Sequence, residues 1–143
     1  MANQIIVVSL RVDNMFNYFV EDDKSELSNV DLKDVKDRNL LNAIFYCLFD
    51  QTLDEDAKDS VVTPINDAPF PSVDINLNVD GKEFNVNKIP EHNRKTAMQG
   101  NVYVSSQKIS LNYKGNISVE ELKQYLLKEH SLSFDSLKHY IGL

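Results

Sequence analysis

The most regular hydrophobic pattern lies in the second half of the chain, where apolar and polar residues alternate. Over residues 73–80 the order is VDINLNVD, a period of two that is typical of a strand with one buried face. Asp80-Gly81 ends this run and favours a type I′ turn with positive φ at both residues. The alternation resumes after the turn, so the pattern predicts a β-hairpin over residues 72–88.

Two further regions have strand-like sequences. Gln4–Val12 is β-branched and almost continuously apolar, which predicts a strand buried on both faces. Asn101–Ser105 and Lys108–Tyr113 predict a second hairpin, with its turn near Ser106-Gln107. Residues 13–20 fit either a short helix or a further strand.

The longest helical pattern follows an acidic segment, Glu21–Asn29, that is interpreted as a loop. Ser28 and Asp31 resemble a capping signal and predict a helix over about 31–53. Its later part, Leu40–Phe49, is apolar on every side except Asn42, and a helix without a polar face is usually buried. A strand over 43–49 is the alternative.

The C-terminal region has two shorter helical patterns. Ser118 and Glu121 are spaced as a capping box, which predicts a helix ending near Glu129. A last helix is predicted over about Ser133–Ile141. The fold class expected from these elements is α+β: an antiparallel sheet of two hairpins plus an N-terminal strand, packed by one hydrophobic helix and two C-terminal helices.

The domain organisation follows from length. With 143 residues the chain suits a single domain. An acidic N-terminal half, 1–71, and a hairpin-helix half, 72–143, are joined by a connection over 54–72 that contains three of the four prolines. We expect one domain with a long crossing loop, because each half alone is too small to bury an adequate core.

Composition excludes several classes of protein. The chain has 42% hydrophobic residues, which is too many for disorder. No apolar run approaches the ~18 residues that suggest a membrane span, and the N-terminus lacks the pattern of a signal peptide. A single cysteine excludes an internal disulfide and a cysteine-based zinc site. These features predict a cytoplasmic protein without membrane association.

The net charge of -7 is unevenly distributed. Residues 1–71 contain 14 Asp and Glu against 6 Lys and Arg, a balance of -8, whereas residues 72–143 contain 8 against 9, a balance of +1. Such an acidic field disfavours nucleic acid and anionic membrane and favours a basic protein surface. The candidate partner-binding residues are acids of the first half: Glu21, Asp22, Asp23, Asp54, Glu55, Asp56 and Asp59.

Catalytic and ligand-binding motifs are weak. The segment 76–87 resembles an EF-hand loop but has Asn at its first and twelfth positions, so no calcium site is expected. The three histidines have no metal-binding spacing, and Cys47 has no basic neighbour in its apolar segment. The basic segment around Lys88 and Arg94 is interpreted as a solvated loop rather than a nucleic-acid platform. We therefore expect no catalytic residues, metal or cofactor.

The function expected from these features is that of a small, acidic, non-enzymatic binding protein, an inhibitor or adaptor. Its acidic half would dock on a basic protein surface, and on a nucleic-acid-handling partner it would act as a nucleic-acid mimic. Lysine outnumbers arginine 12 to 3, and there are 15 asparagines, a bias that suits an AT-rich source such as a phage or virus. A viral inhibitor of host defence, monomeric or a small homo-oligomer in the host cytoplasm, fits this description. The alternatives are an assembly subunit of a phage or viral particle and an enzyme with dispersed acidic residues.

Overall fold

The computed structural model describes residues 2–13, 26–54, 72–92 and 104–143. Within these ranges, five strands form one antiparallel sheet in the order β2-β1-β3-β4-β5. Both halves of the chain contribute to this sheet, since β1 pairs with β2 of its own half on one side and with β3 of the second half on the other. The strands are β1 (Ile5–Asp13), β2 (Glu26–Asp31), β3 (Ser72–Val79), β4 (Lys82–His92) and β5 (Val104–Leu111).

The helices complete the α+β fold that the sequence predicts. They are α1 (Arg38–Phe49), α2 (Val119–His130) and α3 (Phe134–Tyr140), with a short 3-10 helix at Leu32–Asp34. All residues of α1 from Leu40 to Phe49 are buried, so the expected core helix is confirmed and the strand alternative is wrong. The capping boxes at Ser118 and Ser133 begin α2 and α3. In the described residues no helix is long and apolar enough to cross a membrane.

The core lies between the helices and one face of the sheet. The alternating apolar residues of β3 are all buried and join the inward residues of β1 and β4 in one cluster with α1, α2 and α3. The cluster includes the aromatic side chains Phe45 and Phe49, whose rings contact Phe134 of α3 edge-on. The opposite face of the sheet carries the polar half of the alternation.

The hairpin of β3 and β4 is confirmed, including its turn. Asp80 and Gly81 have φ of 50° and 90°, as a type I′ turn requires. The Asp80 carboxylate also accepts the backbone N–H groups of Asn3 and Gln4, at 3.0 and 2.8 Å. The turn therefore also fastens the chain that leads into β1.

Strand β1 corrects one prediction about burial. Its inward residues are buried, but Ile6 and Val8 are half-buried and Arg11 is exposed. The strand is thus not buried on both faces, because the helices cover only one face of the sheet. Apolar β-branched residues on the second face made the sequence look like a fully buried strand.

The segment before α1 corrects a second prediction. Glu26–Asp31, expected to be loop and helix start, forms strand β2 against β1. The helix begins only at Arg38, because the Asp37 side chain caps the N–H groups of Asn39 and Leu40. It ends at Phe49, where Asp50 adopts a left-handed conformation, a common helix stop.

Strand β5 corrects the second hairpin. Its pairing with β4 runs through Gln107 without a turn, so the turn expected near Ser106-Gln107 is wrong. The Gln107 side chain bonds to Tyr46 and Asp50, and a polar residue with such partners fits a strand. Residues 14–20, 55–71 and 101–103, for which the sequence makes predictions, lie outside the described residues.

Candidate functional site: a polar groove on the second face of the sheet

A network of amide and carboxylate side chains covers the second face of β3 and β4. Asn85 Nδ2 donates to Asp74 Oδ1 at 2.7 Å and to Asn76 Oδ1 at 3.0 Å. Asn76 Nδ2 donates to Ser9 Oγ of β1 at 2.6 Å, and Asn87 Nδ2 donates to Asp74 Oδ2 at 3.4 Å. The side chains therefore link three neighbouring strands across the sheet.

The network contains one buried acceptor without a described partner. Asn85 is 3% exposed, and its Oδ1 accepts no hydrogen bond from any described residue. A buried polar atom without a hydrogen-bond partner typically destabilises the fold by about 1–3 kcal/mol. The orientation of the amide is fixed, since Nδ2 faces the oxygens of Asp74 and Asn76. The network therefore has one acceptor that its described donors leave unsatisfied.

A groove of about 660 Å³ opens beside this network. It extends from Glu26 and Ser28 of β2, across β1 and β3, to Tyr113 in the turn after β5. Its volume lies within the range of small-ligand sites, about 300–1,000 Å³. Its lining residues are Ser9, Leu10, Arg11, Glu26, Leu27, Ser28, Asp74, Asn76 and Tyr113.

Tyr113 is the most exposed large hydrophobic residue on the described surface, at 80%. It occupies a two-residue turn with Asn112, in which both residues have positive φ, 51° and 66°. The turn is closed by hydrogen bonds in both directions between Leu111 and Lys114. A bulky residue at positive φ is uncommon and costs about 1–2 kcal/mol. Strain and an exposed aromatic ring thus coincide at the edge of the groove, as they do at many functional sites.

The groove carries net negative charge. Glu26 and Asp74 line it together with Arg11, and the Arg11 Nε is 3.0 Å from Asp13 Oδ2. Asp13 and Glu26 sit where β1 ends and β2 begins, and the register places Arg11 opposite Glu26. Within the described residues, three carboxylates and one guanidinium therefore lie at this end of the sheet.

Of the seven acidic residues proposed from the sequence, only Asp54 lies within the described residues. Its carboxylate is bound by other side chains of the same chain. Its carboxylate accepts two hydrogen bonds from the Arg38 guanidinium, both at 3.0 Å, and one from Asn42 Nδ2 at 2.8 Å. The bonds from Arg38 and Asn42 lower the pKa of Asp54. The side chain is half-exposed, but its charge is already paired. Glu21, Asp22, Asp23, Glu55, Asp56 and Asp59 lie outside the described residues.

Other acids of the first half also bind within the fold. Asp31 accepts the Lys33 N–H and the Tyr140 hydroxyl, and Asp37 caps α1. The helix predicted over 31–53 would carry two ion pairs with a spacing of four residues, Lys33–Asp37 and Asp34–Arg38. Neither pair can form along a helix here, because α1 begins at Arg38. Much of the described acidic charge is therefore structural.

A second polar cluster is buried at the C-terminal end of α1. Lys88 Nζ donates to the Tyr46 carbonyl and to Asp50 Oδ1, both at 2.9 Å, and lies 4.1 Å from the centroid of the Tyr46 ring. Gln107 donates to the same Asp50 oxygen at 3.0 Å and accepts from the Tyr46 hydroxyl at 3.2 Å. The cluster joins α1 to β4 and β5. Lys88 is buried here, so its assignment to a solvated basic loop is wrong.

The remaining candidate residues for chemistry have structural surroundings. Cys47 is fully buried, and burial raises the pKa of its thiol to about 12, so the thiol stays protonated at neutral pH. His130 is buried against Phe84 with a ring-centroid distance of 4.3 Å, and burial lowers its pKa. In the described ranges no group of three or more His, Cys, Asp or Glu residues could hold a metal ion.

Comparison of the chain with protein-family models, with curated proteins and with solved structures finds no match in any of the three. The groove and its charge are therefore interpreted from their own chemistry. Sequence reasoning found the polar side of β3 through its alternation with apolar residues. It did not place Tyr113 at this groove, because only the sheet order brings the turn after β5 to the same face as β1 and β2.

Proposed function

We propose that this protein is a small, non-enzymatic binding protein that docks its acidic first half on a basic protein surface. The observation that carries the proposal is the charge balance of -8 in residues 1–71 against +1 in residues 72–143. On a nucleic-acid-binding partner, such a surface would compete with nucleic acid by occlusion, as in an inhibitor encoded by a phage or virus.

The contacts of the described acids narrow the docking surface. Asp31, Asp37, Asp50 and Asp54 each bind a group of the fold itself. We therefore assign docking to the two acidic clusters of the sequence that lie outside the described residues, Glu21–Asp23 and Glu55–Asp59. The chain enters β2 at Glu26, three residues after the first of these clusters, so this cluster adjoins the acidic end of the groove in sequence.

Asp54 is left out of the charge-reversal test because its loss would also free Arg38 and Asn42. The test variant reverses Glu55, Asp56 and Asp59 to lysine. The control variant reverses Lys123, Lys128 and Lys138 of the C-terminal helices to glutamate. The two variants change the net charge by the same amount in opposite directions, so a general effect of net charge would slow association of the first and speed association of the second.

We expect affinity capture from host lysate with the wild-type chain to retain a basic partner, identified by mass spectrometry. The acidic-cluster variant should bind this partner with slower association and a nearly unchanged dissociation rate, because exposed charges mainly steer encounter. The control variant should bind as the wild type does. Equal association rates for both variants would contradict the proposal.

The alternatives give different results in the same preparation. A particle subunit should self-associate in gel filtration, whereas a docking inhibitor should elute as a monomer or a closed dimer. An enzyme with dispersed acidic residues should need no protein partner. Its activity should not be lowered more by the acidic-cluster variant than by the control variant.

A further inference from the structure

We infer that the groove on the second face of the sheet receives an arginine side chain of the basic partner. This inference rests on the proposed function and deepens it, since it names a chemical group and a place where that group binds. The guanidinium would lie between the Asp74 and Glu26 carboxylates, with the Tyr113 ring against its planar face.

The hydrogen-bonding balance of the groove favours a ligand that only donates. Asp74 accepts one bond on each oxygen from described residues, and a carboxylate has room for about four. Asn76 Oδ1 accepts from Asn85 and retains a second lone pair. A guanidinium has five N–H donors and no acceptor, in a planar fork that fits carboxylates.

Charge complementarity points the same way. Among the described residues around the groove, Asp13, Glu26 and Asp74 are the acids and Arg11 is the base. The register places Arg11 between Glu26 and Asp74, but its guanidinium turns to Asp13 and pairs with that carboxylate. A cationic side chain would therefore be attracted, and a phosphate or carboxylate would be repelled. The half-buried position of Asp74 strengthens this attraction, because partly buried charges are screened less by salt than exposed ones.

Tyr113 explains why arginine is preferred to lysine. Its ring is 80% exposed and is held at the groove edge by a strained turn. Guanidinium groups stack on aromatic faces by cation–π and planar contact, whereas the ammonium of lysine is a compact and more strongly hydrated charge.

The test compares two probes of equal charge, a hexa-arginine and a hexa-lysine peptide, binding to the full chain. We expect hexa-arginine to bind about fivefold more tightly, since only the guanidinium combines bidentate bonding with stacking. Amide resonances of Ser9, Asp74, Asn76 and Tyr113 should shift on titration with hexa-arginine. Tyr113→Ala should reduce hexa-arginine affinity about three- to fivefold and remove most of the preference over hexa-lysine.

Asp74→Asn supplies a second variant, with about tenfold weaker binding expected from the lost charge-assisted bonds. The matched control is Asp135→Asn, which changes an exposed acid of α3 far from the groove in sequence. This variant should bind hexa-arginine within about twofold of wild type, because the charge it removes is equal in size but screened by solvent. Tyr113 is exposed, so its replacement does not endanger folding even if Asp74→Asn does.

Equal affinity of the two peptides, with Tyr113→Ala binding as the wild type does, would overturn the arginine site. If that binding is still weakened by reversal of Glu55, Asp56 and Asp59, the acidic docking function stands without the groove. Failure of both peptides to bind also overturns the arginine site, and the docking function is then decided by the captured partner alone.

Discussion

Replacing Phe45 by alanine should lower the free energy of unfolding by about 3–5 kcal/mol. The side chain is fully buried in α1, and its ring lies 5.4 Å from that of Phe134 and 6.3 Å from that of Phe49, between centroids. The substitution removes the transfer free energy of the ring and leaves a cavity that packed neighbours fill only partly. Denaturant melts monitored by circular dichroism would measure this loss.

Leu127→Ala is the matched control for Phe45→Ala. Leu127 belongs to α2 but is 54% exposed, so its truncation should change stability by less than about 0.5 kcal/mol. A loss below about 1 kcal/mol for Phe45→Ala would show that α1 is not the centre of the core. The whole packing of helices on the sheet would then need revision.

The second large effect is expected for Lys88→Met, with a loss of about 3 kcal/mol. Methionine fills a similar volume but leaves the Tyr46 carbonyl and the Asp50 carboxylate without the ammonium that binds both. Removal of one partner of a buried ion pair is costly, because the other charge stays desolvated. Asp50 keeps its hydrogen bond from Gln107 and is partly exposed. The expected loss of stability is therefore at the low end of the range of about 3–5 kcal/mol seen when one partner of a buried ion pair is removed.

Lys82→Met tests the same chemical change at an exposed position of the same strand, and less than about 0.5 kcal/mol is expected there. Thermal or urea unfolding of both variants gives the comparison. Equal stability of Lys88→Met and wild type would mean that the Lys88–Asp50 pair contributes no more than a methionine packed in its place, as happens for some buried pairs.

Local signals in the sequence predicted the elements that they specify directly. The Asp80-Gly81 turn, the start of α2 at its capping box and the apolar run of α1 are each specified by residues within the element itself. Elements defined by distant partners were missed. Strand β2 is polar and exposed along much of its length, so only its pairing with β1 identifies it.

The residues of the candidate site also divide into those with a local signal in the sequence and those that depend on distant partners. Alternation in β3 predicted that Asp74 and Asn76 share a face, and the sheet confirms it. The ion pair between Arg38 and Asp54 joins residues that are 16 positions apart in the sequence. It was not predicted, because the sequence favoured pairing of Arg38 with Asp34 along a helix. Tyr113 reaches the groove only through the sheet order, which no local pattern contains.

Electrostatic docking of the acidic half is tested most directly by the association rate constant of the captured partner. This rate should be measured at about 0.1 M and about 1 M salt, where the Debye length is about 10 Å and about 3 Å. For the wild-type chain we expect a fall of at least about tenfold at high salt. At low salt, reversal of Glu55, Asp56 and Asp59 should give a similarly slow association. An association rate that is independent of salt and unchanged in this variant would contradict docking through the acidic half.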